Sequence, residues 1–207
     1  MLNNAEGYDF EMKYFNADGA EGSMCGNGGR CIAAFANAHG IVGESCTFIA
    51  YDGPHSARIK DGLVSLKMNP VNEITKVGDG VFLNTGSPHY ISFCKEVDSL
   101  DVVPEGRKVR YSAEFKDHGV NVNFVEKRSD HTILVRTYER GVEDETYSCG
   151  TGVTAAAIAF AAEQPDVKTV RVKTKGGDLS VTFENKENGY DEIWLTGPAT
   201  FVFSGKI

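Results

Sequence analysis

The sequence predicts an α+β protein of two pseudo-repeated domains, each a β-sheet wrapped around a central helix. Three observations carry this. First, SMCGNGGRC (23–31) runs straight into the apolar segment IAAFANA, and YSCGTGVTAAAIAFAA (147–162) repeats the device of a cysteine, Gly-x-Gly and an alanine-rich helical run. Second, the remaining periodic segments alternate apolar and polar residues, rich in β-branched types, as half-buried strands do. Third, the order is strands, helix, strands, and then the same again, which is the pattern of a duplicated α+β unit.

The first helix is expected to start near Gly26 and to run to about His39, with Gly40 as its stop; the second starts near Gly150 and ends before Pro165. Both are apolar nearly all round, so both are expected to be buried. Strands are predicted at 8–15, 46–50, 63–68, 120–125, 131–138, 168–174, 178–184, 192–196 and, as TFVF, at 200–203. The domains are expected at residues 1–78 and 79–207, joined near 72–80, with the last strand returning to the first domain.

Composition narrows the function. A net charge of −8 argues against nucleic acid or an anionic membrane surface as a partner, because each selects a clustered basic face. No stretch approaches the roughly 18 uninterrupted apolar residues of a membrane span. The start, MLNNAEGYDFEMKYF, is polar and acidic rather than basic and then apolar, which gives a cytoplasmic expectation. Five cysteines, an odd and widely spaced set, point to reduced thiols rather than a disulfide framework. Cys31, Cys46 and Cys94 are expected as small buried hydrophobes. No C-x-x-C pair exists, so no metal site is expected.

Cys25 and Cys149 differ from the others in standing just ahead of helix N-termini. Unpaired backbone N–H groups and partial positive charge there hold anions and favour thiolate over thiol. One such cysteine suggests a nucleophile or redox centre. Two, one per domain, suggest a cleft with a thiol on each wall, which suits stereoinversion at carbon: one group removes a proton from one face and the other protonates the opposite face. The substrate is then an α-amino or hydroxy acid, whose carboxylate takes up the carbanion charge. The N–H groups of Gly26, Asn27, Gly150 and Thr151 would hold that carboxylate, and no cofactor is required. A cysteine pair cycling through a disulfide, and a non-catalytic binding module, are the competing readings. GTGVTA (150–155) matches a dinucleotide fingerprint by letter, but polar EDETYS precedes it where a buried strand belongs.

Several segments together resemble the diaminopimelate epimerase family: FNADG (15–19), MCGNGGRC (24–31), SPH (87–89), GVNVNFV (119–125), YERGVEDETYSCGTG (138–152) and LTGPATFVFSG (195–205). The resemblance implies a cofactor-independent isomerase that interconverts LL- and meso-diaminopimelate in lysine and peptidoglycan precursor synthesis. It implies Cys25 and Cys149 as the catalytic acid/base pair, with His89 and Glu139 tuning their protonation. It assigns substrate contacts to Asn16, Gly26, Asn27, Ser87, Asn121, Glu139, Arg140, Gly150 and Thr151, and it implies a homodimer with Phe203 as a contact. Related proline racemases and phenazine-pathway isomerases are the alternative, although the proline racemases carry His where this chain has Asn27. Read without the family, His89 is a turn residue and Glu139–Arg140 a surface ion pair.

Two departures from the family pattern carry expectations. Ser87 stands where the family usually has Asn, so that substrate contact is expected to be shortened or routed through water. The family also has an opening segment with a glycine-Asn-Asp-Phe motif ahead of the point where this chain starts. Met1 is therefore expected to be an internal methionine, the first domain to have an exposed sheet edge, and activity to be low or absent.

Overall fold

The computed structural model describes residues 1–15, 19–22, 25–129 and 131–205. The chain forms two compact units, the first of residues 1–67 and 196–207, the second of residues 68–195. Among the described residues the first carries one α-helix on its strands and the second carries two, and the protein is α+β. Among the described residues no helix is long and apolar enough to cross a membrane.

In the first unit, β1 (Leu2–Asn3) pairs antiparallel with β2 (Phe10–Met12), which lies parallel to β3 (Ser45–Ala50). β4 (Gly53–Lys60) and β5 (Leu63–Lys67) follow as antiparallel neighbours. Period-2 alternation turns Cys46, Phe48 and Ala50 inward. Phe48 stacks on Phe10 with ring centroids 5.0 Å apart. Helix α1 (Gly26–Ala38) packs on β4 and β5 through Ala33 and Ala36. The all-round burial expected for this helix does not hold: Cys31 is exposed and Phe35 is 51% exposed. A 13-residue helix lying on a sheet buries one stripe only.

The second unit holds β6 (Thr75–Val77), β7 (Gly80–Asn84), β8 (Pro88–Phe93), β9 (Asn121–Lys127), β10 (Thr132–Glu139), β11 (Asp144–Thr146), β12 (Thr169–Thr174) and β13 (Gly177–Lys186). β8 pairs parallel with β9, and β10 parallel with β12; the other neighbours are antiparallel. β14 (Gly189–Pro198) lies beside β13, and its end, from Thr196, belongs with the first unit, where the Thr196 and Ser65 hydroxyls are 2.7 Å apart. Helix α2 (Val102–Arg110) covers β9, β10 and β11. Helix α3 (Gly150–Ala161) contacts β7, β8, β9, β10, β12 and β13 and is buried from Gly152 to Ala161, as its unbroken apolar composition predicts.

Helix α2 and the last predicted strand also depart from expectation. Helix α2, VVPEGRKVR, is not among the predicted helices and contains Pro104 and Gly106, both poor helix residues. Pro104 falls in the first turn, where no intrahelical acceptor awaits its missing N–H. Gly106 permits close approach, since a Cβ there would lie 2.4 Å from Tyr138 Cβ. The predicted TFVF strand does not form: 199–205 has no strand, and Phe201, Val202 and Phe203 are about four-fifths exposed (78%, 83% and 80%). β-branched and aromatic composition does not supply a pairing edge.

Candidate active site

In the first unit Cys25 is the N-cap of α1, half-buried, with extended backbone (φ −92°, ψ 127°) and no capping hydrogen bond from its side chain. The sulfur is not consumed by the helix end. No acidic residue stands in the first turn to neutralise the exposed N–H groups. Arg30, only 6% exposed, turns back over this end: Nη1 donates to the Gly26 carbonyl (3.2 Å) and Nη2 to Asn27 Oδ1 (3.0 Å). Burial holds its guanidinium below the usual arginine range. Asn16, expected as a substrate contact, lies outside the described residues. Cys46 is buried, and burial pushes its thiol up to about 11; burial also raises Cys94. Neither environment suits a reactive thiolate.

In the second unit Cys149 is the N-cap of α3, buried, again with extended backbone and no side-chain cap. Its Sγ is 3.4 Å from Thr151 Oγ1. That hydroxyl is 2.9 Å from His89 Nε2 and 3.0 Å from Ser87 Oγ, and Ser87 Oγ is itself 2.9 Å from His89 Nε2. Thr85 Oγ1 donates to the Thr151 carbonyl at 2.9 Å, tying α3's first turn to the end of β7. His89 is fully buried, and burial, with the Arg140 charge as a second cause, pushes it down to about 3. It is a neutral ring over the physiological range.

The strand register gathers these groups. β8 and β9 are parallel with His89 opposite Asn121, and alternation puts Asn123 on the same face. Asn121 Nδ2 donates to the Pro88 carbonyl (3.0 Å) and more distantly to Ser87 Oγ (3.4 Å), while its Oδ1 accepts the Arg140 N–H (2.9 Å). Asn123, with no exposed surface, donates from Nδ2 to His89 Nδ1 (3.1 Å) and the Tyr90 carbonyl (3.3 Å), and accepts from Thr137 Oγ1 (2.9 Å). Gly152 presses on this amide: a Cβ there would stand 2.4 Å from Asn123 Oδ1 and 3.3 Å from His89 Cε1.

Of the residues expected from sequence, the structure thus brings Ser87, His89, Asn121, Cys149 and Thr151 into one network, with Gly150 beside them at the start of α3. Arg140 joins through its backbone; its exposed side chain donates to the His118 carbonyl at 2.9 Å. Glu139, half-buried, ends β10 opposite Asp144, and its carbonyl accepts the Glu143 N–H at 2.8 Å. Cys25, Gly26 and Asn27 stand together at the start of α1. Sequence reading missed Asn123, Thr137, Thr85 and Arg30. One signal was available: two asparagines two apart inside the apolar strand NVNFV occupy one face and need buried partners. Among the described residues no group of three His, Cys, Asp or Glu is placed to hold a metal ion.

A family model described as diaminopimelate epimerase matches residues 1–74 and 81–202. The diaminopimelate epimerase of Flavobacterium psychrophilum is 46% identical over 209 residues, covering 100% of this chain and 82% of that protein. The diaminopimelate epimerase of Chlorobaculum tepidum is 41% identical over 219 residues, covering 100% and 83%. Among solved structures, a Bacillus anthracis phenazine biosynthesis protein of the PhzF family superposes with a TM-score of 0.73 at 14% identity, covering 95% of this chain and 80% of that one. A hydroxyproline epimerase from Agrobacterium vitis gives a TM-score of 0.69 at 14% identity, with 95% and 70% covered. These two share the fold. Matched over nearly its whole length by the family model and by relatives above 40% identity, the chain belongs to the diaminopimelate epimerase family of isomerases.

Proposed function

We propose that this protein interconverts LL- and meso-diaminopimelate, without a cofactor, by two-cysteine proton transfer at the α-carbon. The observation that carries the reading is the pair of thiols, Cys25 and Cys149, each at the N-cap of its unit's central helix with a side chain the helix end does not use. One thiolate takes the α-proton and the other, as thiol, protonates the opposite face of the carbanion. The two titrate as a coupled pair, so the working state carries one proton between them. The N–H groups of Gly26, Asn27, Gly150 and Thr151 steady the α-carboxylate as charge moves into it. The distal amino-acid head falls to Asn16, Asn121, Glu139 and Arg140, with the Arg140 fork suited to a carboxylate. Ser87 and His89 act on Cys149 through Thr151.

Five cysteines with no disulfide among them suit a reducing cytoplasm, where the reaction would feed lysine and peptidoglycan precursors. The exposed Phe201, Val202 and Phe203 favour a homodimer that covers them. The test is exchange of the α-proton in deuterated water with LL- and meso-diaminopimelate, for the unaltered chain and for Cys25→Ala and Cys149→Ala. Exchange that both substitutions abolish is expected. Equal exchange in all three removes the thiols from the mechanism, and exchange with proline but not diaminopimelate moves the substrate to the racemase alternative.

A further inference from the structure

We infer that Asn123 is a positioning residue: it fixes His89 as the neutral tautomer protonated on Nε2, and so turns the Thr151 hydroxyl toward the Cys149 sulfur. Its bearing on catalysis rests on the two-thiol reading above, while the proton arrangement itself does not.

The orientation of the Asn123 amide follows from its neighbours. The Tyr90 carbonyl can only accept, so the amide atom 3.3 Å from it is nitrogen. The same nitrogen lies 3.1 Å from His89 Nδ1. An amide nitrogen only donates, so Nδ1 must be the bare, accepting nitrogen of the ring. Thr137 Oγ1, 2.9 Å from Oδ1, supplies the donor that locks the opposite end. The ring proton therefore sits on Nε2, facing Ser87 Oγ and Thr151 Oγ1, both at 2.9 Å.

The hydroxyl protons then have little choice. Neither can be given to Nε2, which already bears a hydrogen. The Ser87–Thr151 contact, 3.0 Å, takes one of the two. Ser87 Oγ also receives Asn121 Nδ2 at 3.4 Å, and with the Nε2 proton beside it as well this takes up its two lone pairs, so that its own proton turns to Thr151. The remaining proton, on Thr151 Oγ1, goes to the acceptor 3.4 Å away, Cys149 Sγ. A hydroxyl donating to sulfur stabilises the thiolate over the thiol. Were Nδ1 protonated instead, Nε2 would accept the Thr151 proton and the sulfur would lose this donor.

The test uses the whole 207-residue chain labelled with 15N at histidine, His89 being assigned among five histidines by its loss in His89→Gln. At neutral pH the unaltered protein is expected to show a bare Nδ1 and a protonated Nε2, and Asn123→Asp to move a proton onto Nδ1. Thr151→Val keeps shape and backbone but removes the hydroxyl; iodoacetamide alkylation at Cys149, read by mass spectrometry, is expected to fall about tenfold, the effect of one lost hydrogen bond to a charged sulfur. A proton on Nδ1 in the unaltered protein, or an unchanged alkylation rate in Thr151→Val, overturns the inference. If Asn123→Asp does not fold, those two measurements still decide it. None of the readouts needs turnover, so a protein without isomerase activity refutes the two-thiol reading and leaves this proton arrangement standing, and the converse holds.

Discussion

Arg136 is the side chain whose removal should cost the second unit most. It projects from β10, 9% exposed, and its fork grips Glu145 through Nε (2.6 Å) and Nη2 (2.8 Å). Nη1 donates to three carbonyls, those of Val97 (2.8 Å), Asp98 (3.2 Å) and Leu100 (2.7 Å). One guanidinium thus closes the turn that leads into α2 and anchors β11, the strand just ahead of Cys149. In Arg136→Ala, Lys175 still reaches Glu145 at 2.7 Å, so that carboxylate keeps a partner. The Val97 carbonyl, on a buried residue, falls back on the Leu100 N–H at 3.2 Å, and the Leu100 carbonyl loses its 2.7 Å donor; under-satisfied acceptors of this kind cost about 1–3 kcal/mol. Adding the broken, nearly buried ion pair brings the expected loss to about 3–5 kcal/mol. For a chain of this size about 4 kcal/mol corresponds to a drop of roughly 10 °C in Tm. Trp194, the single tryptophan, lies in the same unit and reports its unfolding by fluorescence in urea. Arg128→Ala is the control: Arg128 and Asp98 are exposed, Glu126 keeps the Val97 N–H as a partner, and a loss under about 1 kcal/mol is expected. If Arg136→Ala also costs under about 1 kcal/mol, the anchoring role is wrong.

Further outcomes follow from the site. His89 titrates near 3 when folded and near 6.5 when unfolded. Below about pH 6.5 the unfolded chain takes up a proton the folded one refuses, so stability should fall as pH drops from about 6.5 toward 3; urea midpoints across that window should slope less in His89→Gln. Glu145 is held below the usual carboxylate range, first by its hydrogen bond to Arg136. Its contribution is present above its unfolded value of about 4.3 and is lost as pH falls through the folded value, so Arg136→Ala should flatten that part of the acid limb. Gly152→Ala drives a methyl into Asn123 Oδ1; a loss of about 1–3 kcal/mol by urea titration is expected, with α-proton exchange reduced beyond what unfolding explains.

Much of this arrangement was legible in residues alone. Cysteine, Gly-x-Gly and an apolar run read as a helix N-terminus twice, and α1 and α3 begin at Gly26 and Gly150. Alternation found the long strands, β9, β10 and β13 among them, because one buried face imposes period 2. It missed GPHSARIK (β4), where Pro54, Ser56 and Arg58 interrupt the β-favouring residues; pairing between β3 and β5 makes the strand. It also missed α2, whose helical state depends on lying against β9 and β10.

By itself the sequence determined where the two helices start, which cysteines precede them, and the family to which these segments belong, since each is a matter of local chemistry in chain order. Only the tertiary structure decided that Asn123 meets His89 and that Arg136 holds the turn at Val97–Leu100, contacts made between strands and turns far apart in the chain. Strand register sets which side chains share a face, and burial then forces every polar atom on that face to find a partner.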